Sequence, residues 1–370
     1  MRRLLRLLIG YPAVICFALP AAVFGASAKD VLDRPALKIV EPAHAVLVDV
    51  ARAGDRLLAV GERGAIIYSD NAGDTWRQAD VPVSTTLTAV AFPTPDQGWV
   101  VGHSGVVLHT ADGGRSWTRQ LDGIIAAQMA LETARDAAAR SQSPGNAANQ
   151  LVKNAELLVA DGPDKPFLDL YFENEREGII VGAYGLIFST TDGGQSWQCR
   201  MDRIENPRGL HLYAIRAFGD NIYIAGEQGL FLVSRNKGLS YQKIQTPYSG
   251  TFFDLIVTSS GDVVIIGLRG NAFWSADQGM TFHQVQVPVE VSFTAVGRLE
   301  DGTLLFANQA GMLLASRDGG RSMQVTGIPR LSPISGLIPA GNNNLMTVGY
   351  GGAIRVQLPS PGSKEKGGQQ

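Results

Sequence analysis

Seven two-residue steps carry the side chains best suited to binding: Glu62-Arg63, His103-Ser104, Ala183-Tyr184, Glu227-Gln228, Leu268-Arg269, Gln309-Ala310 and Tyr350-Gly351. Six of them sit inside a Gly-x-x-Gly frame, and Asn308 replaces the first glycine in the other. Arginine presents a planar fork that pairs with a carboxylate through two hydrogen bonds. Arg63, Arg203, Arg208, Arg269 and Arg330, interspersed with Glu62 and Glu227, therefore point to a mixed charged surface suited to an anionic peptide or a sugar acid. With His103, Tyr184 and Tyr350 these make the candidate partner-binding set.

Other chemistries lack their residues. The histidines His44, His103, His109, His211 and His283 show no paired ligand spacing, so no metal site is expected. A Gly-x-Ser-x-Gly nucleophile elbow is absent. The Gly-x-x-Gly pairs join strand to strand, not strand to helix, so they are hairpin turns and not phosphate cradles. No catalytic residue and no cofactor are expected, and the chain reads as a non-enzyme. Its formal net charge of −2 becomes more acidic once Arg2, Arg3 and Arg6 are set aside, which argues against nucleic acid as a partner.

The elements that present these steps repeat along the chain. A strand ending in glycine precedes each step, and that glycine falls at Gly61, Gly102, Gly182, Gly226, Gly267 and Gly349, with Asn308 in the sixth unit. The spacing is about 41 residues, roughly doubled between Gly102 and Gly182, and each unit holds three or four short strands, which is the period of a propeller blade. Seven units between Val48 and Val356 predict an all-β, seven-bladed β-propeller. The last unit stops after its third strand, and Ala36 to Val40 is the segment expected to supply its missing outer strand and close the ring.

After the third strand, six units enter a polar turn: Ser69 to Trp76, Thr110 to Trp117, Thr190 to Trp197, Ser234 to Tyr241, Ser275 to Phe282 and Ser316 to Met323. These resemble the Asp box, Ser/Thr-x-Asp-x-Gly-x-Ser/Thr-Trp, of bacterial neuraminidase repeats. An Asp or Asn side chain accepts amide hydrogen bonds within its own turn, and glycine permits positive φ, so the box reads as a folding device. The box turns belong on one face of the ring. The Gly-x-x-Gly steps, the connections between blades around Arg200 to His211, Tyr248 and Arg330, and the insertion belong on the other.

Residues 118–166 interrupt the repeat with Ala-, Leu- and Glu-rich sequence. Leu121, Ile125 and Met129 recur every four residues, as do Leu151, Ala155 and Leu158, with a break at Ser143-Pro144-Gly145-Asn146 and a stop at Asp161-Gly162-Pro163, which predicts a helical hairpin. At the start of the chain, the arginines, the apolar run Leu7 to Val23 and Ala26-Ser27-Ala28 form a signal peptide with cleavage expected after Ala28. The mature protein, 29–358 as propeller, is expected in the periplasm or secreted, and the tail 359–370 is read as disordered. Only Cys199 would remain of the two cysteines, so no internal disulfide can form.

Seven blades, an export leader and Gly-x-x-Gly turns followed by Asp-Gly-Gly-x-Ser-Trp together resemble the photosystem II assembly and stability factor family, over roughly Val46 to Val356. The resemblance implies a non-catalytic propeller that binds an assembly intermediate of the reaction-centre D1 subunit through arginines on one face. In a bacterial envelope it implies a scaffold for a membrane or envelope protein complex. Sialidases share the Asp box, and likeness to them would imply a Tyr nucleophile assisted by Glu, for which Tyr184 or Tyr350 beside Glu227 are the candidates. Their Phe/Tyr-Arg-Ile-Pro signature is absent here and they have six blades, so a carbohydrate-active or glycan-binding propeller is the alternative expectation.

Overall fold

The computed structural model describes residues 30–140, 146–341 and 343–359. The expected leader, the Ser143-Pro144-Gly145 break and the tail from Ser360 lie outside them. Among the described residues there are six four-stranded antiparallel sheets and one three-stranded sheet, each wound in chain order from the inside outward. The innermost strands are Leu47–Ala53, Leu87–Ala91, Phe167–Phe172, Leu212–Phe218, Phe252–Val257, Phe293–Arg298 and Ile334–Pro339, and each packs on the next. The first also packs on the seventh, so the ring is closed. Two helices, α1 (Gly123–Arg140) and α2 (Asn146–Asp161), complete the predicted all-β propeller with a helical insertion.

The second strand of every blade is buried along nearly its whole length, as in Leu57 to Gly61 and Val263 to Gly267. Such a strand lies between two neighbours in its own sheet and between two sheets, so it reads as a continuous apolar run.

The asparagine and aspartate of the six boxes are wired alike. Thr110 Oγ1 donates to Asp112 Oδ1 (2.8 Å) and accepts from the Gly114 amide (3.0 Å), while Asp112 accepts from Ser116 N (3.0 Å) and Ser116 Oγ (2.6 Å). Asn71 fills the same role with its amide turned outward: Oδ1 accepts from Thr75 N (2.9 Å) and Nδ2 donates to Thr75 Oγ1 (2.9 Å). A Cβ on Gly114 would come within 2.1 Å of Leu58 in the preceding blade, so each box turn leans on its neighbour and only glycine fits there. The closing aromatics Trp117, Trp197 and Tyr241 are buried at that junction.

Hydrogen bonds from Ser116 and Thr110 outweigh partial burial and hold the Asp112 carboxyl at about 2, and Asp192 and Asp277 also lie at about 2. Because these values are depressed, the stability they contribute is present above the ordinary carboxylate value near 4 and is lost as pH falls towards 2. Replacing Asp112, Asp192 and Asp277 together by Asn should therefore flatten the fall in melting temperature between about pH 4 and pH 2. A scan showing the same slope in both proteins would contradict this.

Three expectations need correction. Ala36 to Val40 adds no strand to the seventh blade. Ala36 N donates to Val81 O (3.0 Å), Leu37 N to Arg63 O (3.4 Å), and Ile39 N to Gln78 Oε1 (2.8 Å), so the segment lies along blade one. Pro35 and Pro42 bracket it and remove two of the amides a longer ladder would need. Closure comes from direct packing of blade seven on blade one, with Ser335 Oγ donating to Leu47 O (2.9 Å) and the Arg52 guanidinium to Pro339 O (2.8 Å).

The insertion begins later than residue 118, because Thr118–Leu121 is the fourth strand of blade two. The helical face is correspondingly displaced. Ala126, Ala127, Ala130, Leu131 and Ala134 are buried, and Ile125 is 49% exposed. Leu121 belongs to the strand and Ile125 to the helix, so a period drawn through both spans two elements. Asp122 caps α1, its Oδ1 accepting from the amides of Ile124 and Ile125 at 3.1 Å each. A Cβ on Gly123 would lie 2.5 Å from Pro163 O, so this glycine lets the start of α1 close onto the segment that follows α2.

Candidate functional site

The Gly-x-x-Gly steps form tight turns whose second residue is left-handed: φ is 56° at Arg63, 58° at Ser104, 56° at Tyr184, 54° at Gln228 and 55° at Arg269. Non-glycine residues adopt this conformation at a cost, and here it recurs in five blades. The turn thrusts its central side chain outward, so Arg63, Tyr184, Gln228 and Arg269 are all exposed. Connections between blades run beneath these turns. Gly64 N donates to Thr85 O (2.7 Å), Gly229 N to Gly250 O (2.7 Å), and Leu331 N to Gly311 O (2.9 Å), which places Arg330 beside the sixth turn.

This face gathers several of the candidates. His211 Nδ1 lies 3.0 Å from Glu227 Oε2, which also accepts the His211 amide at 2.9 Å. Tyr184 packs on His211 with ring centroids 4.9 Å apart, and Lys165 sits 5.2 Å over the Tyr184 ring. Arg208 donates to Gln228. Arg63, Arg269 and Arg330 make no side-chain hydrogen bond or ion pair among the described residues, and Glu62, His103 and Tyr350 are exposed nearby on their own turns. Partial desolvation by its own turn lowers the His103 pKa, although the side chain keeps an open surface to solvent. Arg203 stands apart. It pairs with Asp202 at 3.4 Å, beside the end of α1, and its carbonyl accepts the Tyr241 amide of the next box, so it belongs to the outer edge and not to the ring of turns.

The axis of the ring holds a second group. Every inner strand has a register shift at the same place, and the residue there is Asp49, Ala89, Asp169, Ala214, Asp254, Ala295 or Gly336 in blades one to seven. Aspartate occupies blades one, three and five, and each aspartate accepts an amide of the following blade: Asp49 from Val90 N (2.9 Å), Asp169 from Ile215 N (2.8 Å), and Asp254 from Val296 N (3.0 Å). Arg216 of blade four reaches across to bond both Asp169 and, at 2.8 Å, Asp254. Burial opposes the guanidinium's charge, but Asp169 and Asp254 outweigh it and raise its pKa further. Burial also pushes the Asp49 carboxyl up to about 7 and raises Asp254 despite the pull of Arg216.

This charged layer divides the channel into a chamber of about 340 Å³ towards the turn face and one of about 380 Å³ towards the box face. Asp49, Asp169 and Asp254 are not among the candidates that the sequence offers, and the recurrence of a carboxylate at one register of alternate inner strands is the signal that marks them once the register is known. Tyr213 and Arg216 also face the upper chamber, but one guanidinium already shared by two carboxylates leaves no arginine cluster for a sugar acid.

Residues 35–134 and 152–304 match the family described as photosynthesis system II assembly factor YCF48. The photosystem II assembly protein Ycf48 of Synechococcus sp. strain JA-2-3B'a(2-13) is 27% identical over 48% of this chain and 52% of its own. The photosystem II assembly lipoprotein Ycf48 of Synechococcus sp. strain CC9902 is 25% identical over 58% of this chain and 54% of its own. The chain thus spans about half the length of these curated relatives. A solved structure of YCF48 bound to D1 peptide superposes with a TM-score of 0.62 at 17% identity, covering 90% of this chain and 99% of that one. The WD40 propeller domain of Doa1 does so with 0.58 at 11%, covering 88% and 95%. At these identities the superpositions establish the propeller fold. The family match extends over more than half of the sequence, and the chain belongs to the photosystem II assembly factor YCF48 family.

Proposed function

We propose that this protein is an exported, non-catalytic assembly factor whose turn face holds an extended segment of a membrane-protein partner. The observation that carries the reading is the set of arginines at that face whose side chains have no hydrogen-bond or ion-pair partner among the described residues: Arg63, Arg269 and Arg330 are exposed and keep their guanidinium donors for a ligand. A relative bound to a D1 peptide supports a peptide of a membrane subunit as the ligand class. The leader at residues 1–28 supports an envelope or lumenal location, with cleavage after Ala28 and the propeller over 29–358. Glu62 and Glu227 set the register of such a peptide by rejecting its carboxylates where the arginines accept them, and Tyr184 and Tyr350 offer apolar faces between them. His103, Arg208 and the α1–α2 hairpin extend the surface around blades two to four.

The left-handed turns provide a clean test. Glycine adopts that conformation freely, so Arg63→Gly with Arg269→Gly should leave stability unchanged or raise it by up to about 1 kcal/mol. The same pair should weaken binding of a synthetic D1 segment about 10-fold or more by calorimetry, since each lost charged hydrogen bond is worth roughly 1.5 kcal/mol or more. Unchanged affinity in the stable double variant would remove the turn-face reading.

A further inference from the structure

The upper chamber of the channel is more than the gap that any ring leaves on its axis. Its wall is apolar and aromatic, with Val48, Leu168, Tyr213, Phe253 and Phe293, and Tyr213 meets Phe253 edge to face with centroids 5.4 Å apart. An aromatic track leads into it from the turn face: Tyr184 contacts His211 at 4.9 Å, and His211 contacts Tyr213 at 6.1 Å. Its floor carries three carboxylates against one guanidinium. Arg216 is spent on Asp169 and Asp254, while Asp49 accepts only the amides of Val50 (2.8 Å) and Val90 (2.9 Å) and forms no ion pair among the described residues.

We propose that the upper chamber is a cation-accepting site that takes the ammonium or guanidinium end of a lysine or arginine side chain from the segment docked on the turn face. The volume of about 340 Å³ suits one long side chain, since ligand clefts begin at roughly 300 Å³. The aromatic wall receives the alkyl stem and the faces of Tyr213 and Phe253 favour a cation. At pH 8, above the value of about 7 to which burial raises it, Asp49 offers the head group an ionised carboxylate with no ion-pair partner among the described residues. The anionic floor would reject a carboxylate, so the docked segment is anchored by acceptors at the arginines and by one basic side chain at the axis. The source of the cation rests on the docking reading, whereas the site itself does not.

Dansylcadaverine, which carries a five-carbon ammonium arm, is the probe, and its N-acetylated form is the neutral control. Titrated into the full mature chain, the amine should bind saturably and about 10-fold or more tighter than the acetylated form. Leu168→Trp, which fills the chamber from its wall, should abolish the difference, and so should Asp49→Asn, which keeps an acceptor for Val90 while removing the charge. Equal binding of both probes, binding of neither, or an amine preference that survives Leu168→Trp would overturn the proposal. The titration needs no partner, so a failed amine site leaves the docking reading standing. Amine binding that persists while the D1 segment fails to bind would separate the two in the other direction.

Discussion

Replacing Arg216 by methionine should destabilise the ring by about 2–4 kcal/mol at pH 8. Among the described residues the guanidinium is the cation shared by Asp169 and Asp254, whose side chains are only 13% and 12% exposed, and its loss leaves two carboxylates facing each other in the channel. Breaking a buried pair from one side costs more than the pair is worth, because the remaining charge keeps its desolvation penalty. The guanidinium itself is 37% open to the channel, so water relieves part of the cost and the expected loss lies about 1 kcal/mol below the usual range of about 3–5 kcal/mol.

The pH dependence has a definite sign. Without Arg216 two buried carboxylates repel each other, so folding is penalised at pH values where both are ionised and relieved as falling pH protonates them. The variant's deficit should shrink on going from pH 8 to pH 5, measured by denaturant titration at each pH. A deficit that is constant over this range would show that the arginine acts by packing alone.

Trp117→Ala should cost about 3–5 kcal/mol. The indole is 4% exposed, meets Phe92 edge to face at 6.0 Å, and donates from Nε1 to Gly114 O at 3.1 Å, so its removal opens a cavity between two blades and orphans a carbonyl. Trp117→Phe should recover most of the loss because it refills the volume, leaving mainly the missing hydrogen bond. Melting temperatures of the three proteins check the order, and an alanine variant as stable as the phenylalanine one would contradict the junction's role.

Blade number and the face that carries the turns were legible because both depend on backbone demands that few residues meet. Gly61 and its equivalents permit close approach to the neighbouring strand, and the box residues satisfy their own turn. The left-handed residues at Arg63, Tyr184 and Arg269 are a different case: nothing in an arginine or a tyrosine announces positive φ, and only the surrounding glycines hinted at it. Ala36 to Val40 was misplaced because a short apolar run does not encode which sheet it meets, and its hydrogen bonds to Gln78 and Val81 are settled by packing. The displaced face of α1 has the same origin, since alanines at Ala126, Ala130 and Ala134 are buried by close helix approach and carry little periodic hydrophobic signal.

The axial aspartates were overlooked for a related reason. Asp49, Asp169 and Asp254 each interrupt an apolar strand once, and one polar residue in a strand reads as outward-facing until the register shift turns it into the channel. Of the arginines, Arg63, Arg208, Arg269 and Arg330 share the turn face as expected from their positions. Arg203 is carried to the perimeter because the residues after the fourth strand of blade three bond to the next box, not to the turns.

The central claim is that the partner docks on the turn face. A photo-crosslinking amino acid in place of Gln228, on the Gly-x-x-Gly turn of blade four, or of Gln195, in the box of blade three, probes the two opposite faces without touching Arg63, Arg269, Arg330 or the axial aspartates. Irradiation with membranes of the host, followed by mass spectrometry of the adducts, is predicted to yield a membrane-protein subunit crosslinked at 228 and none at 195. Adducts to that subunit at 195 with none at 228 would place the partner on the box face and contradict the account.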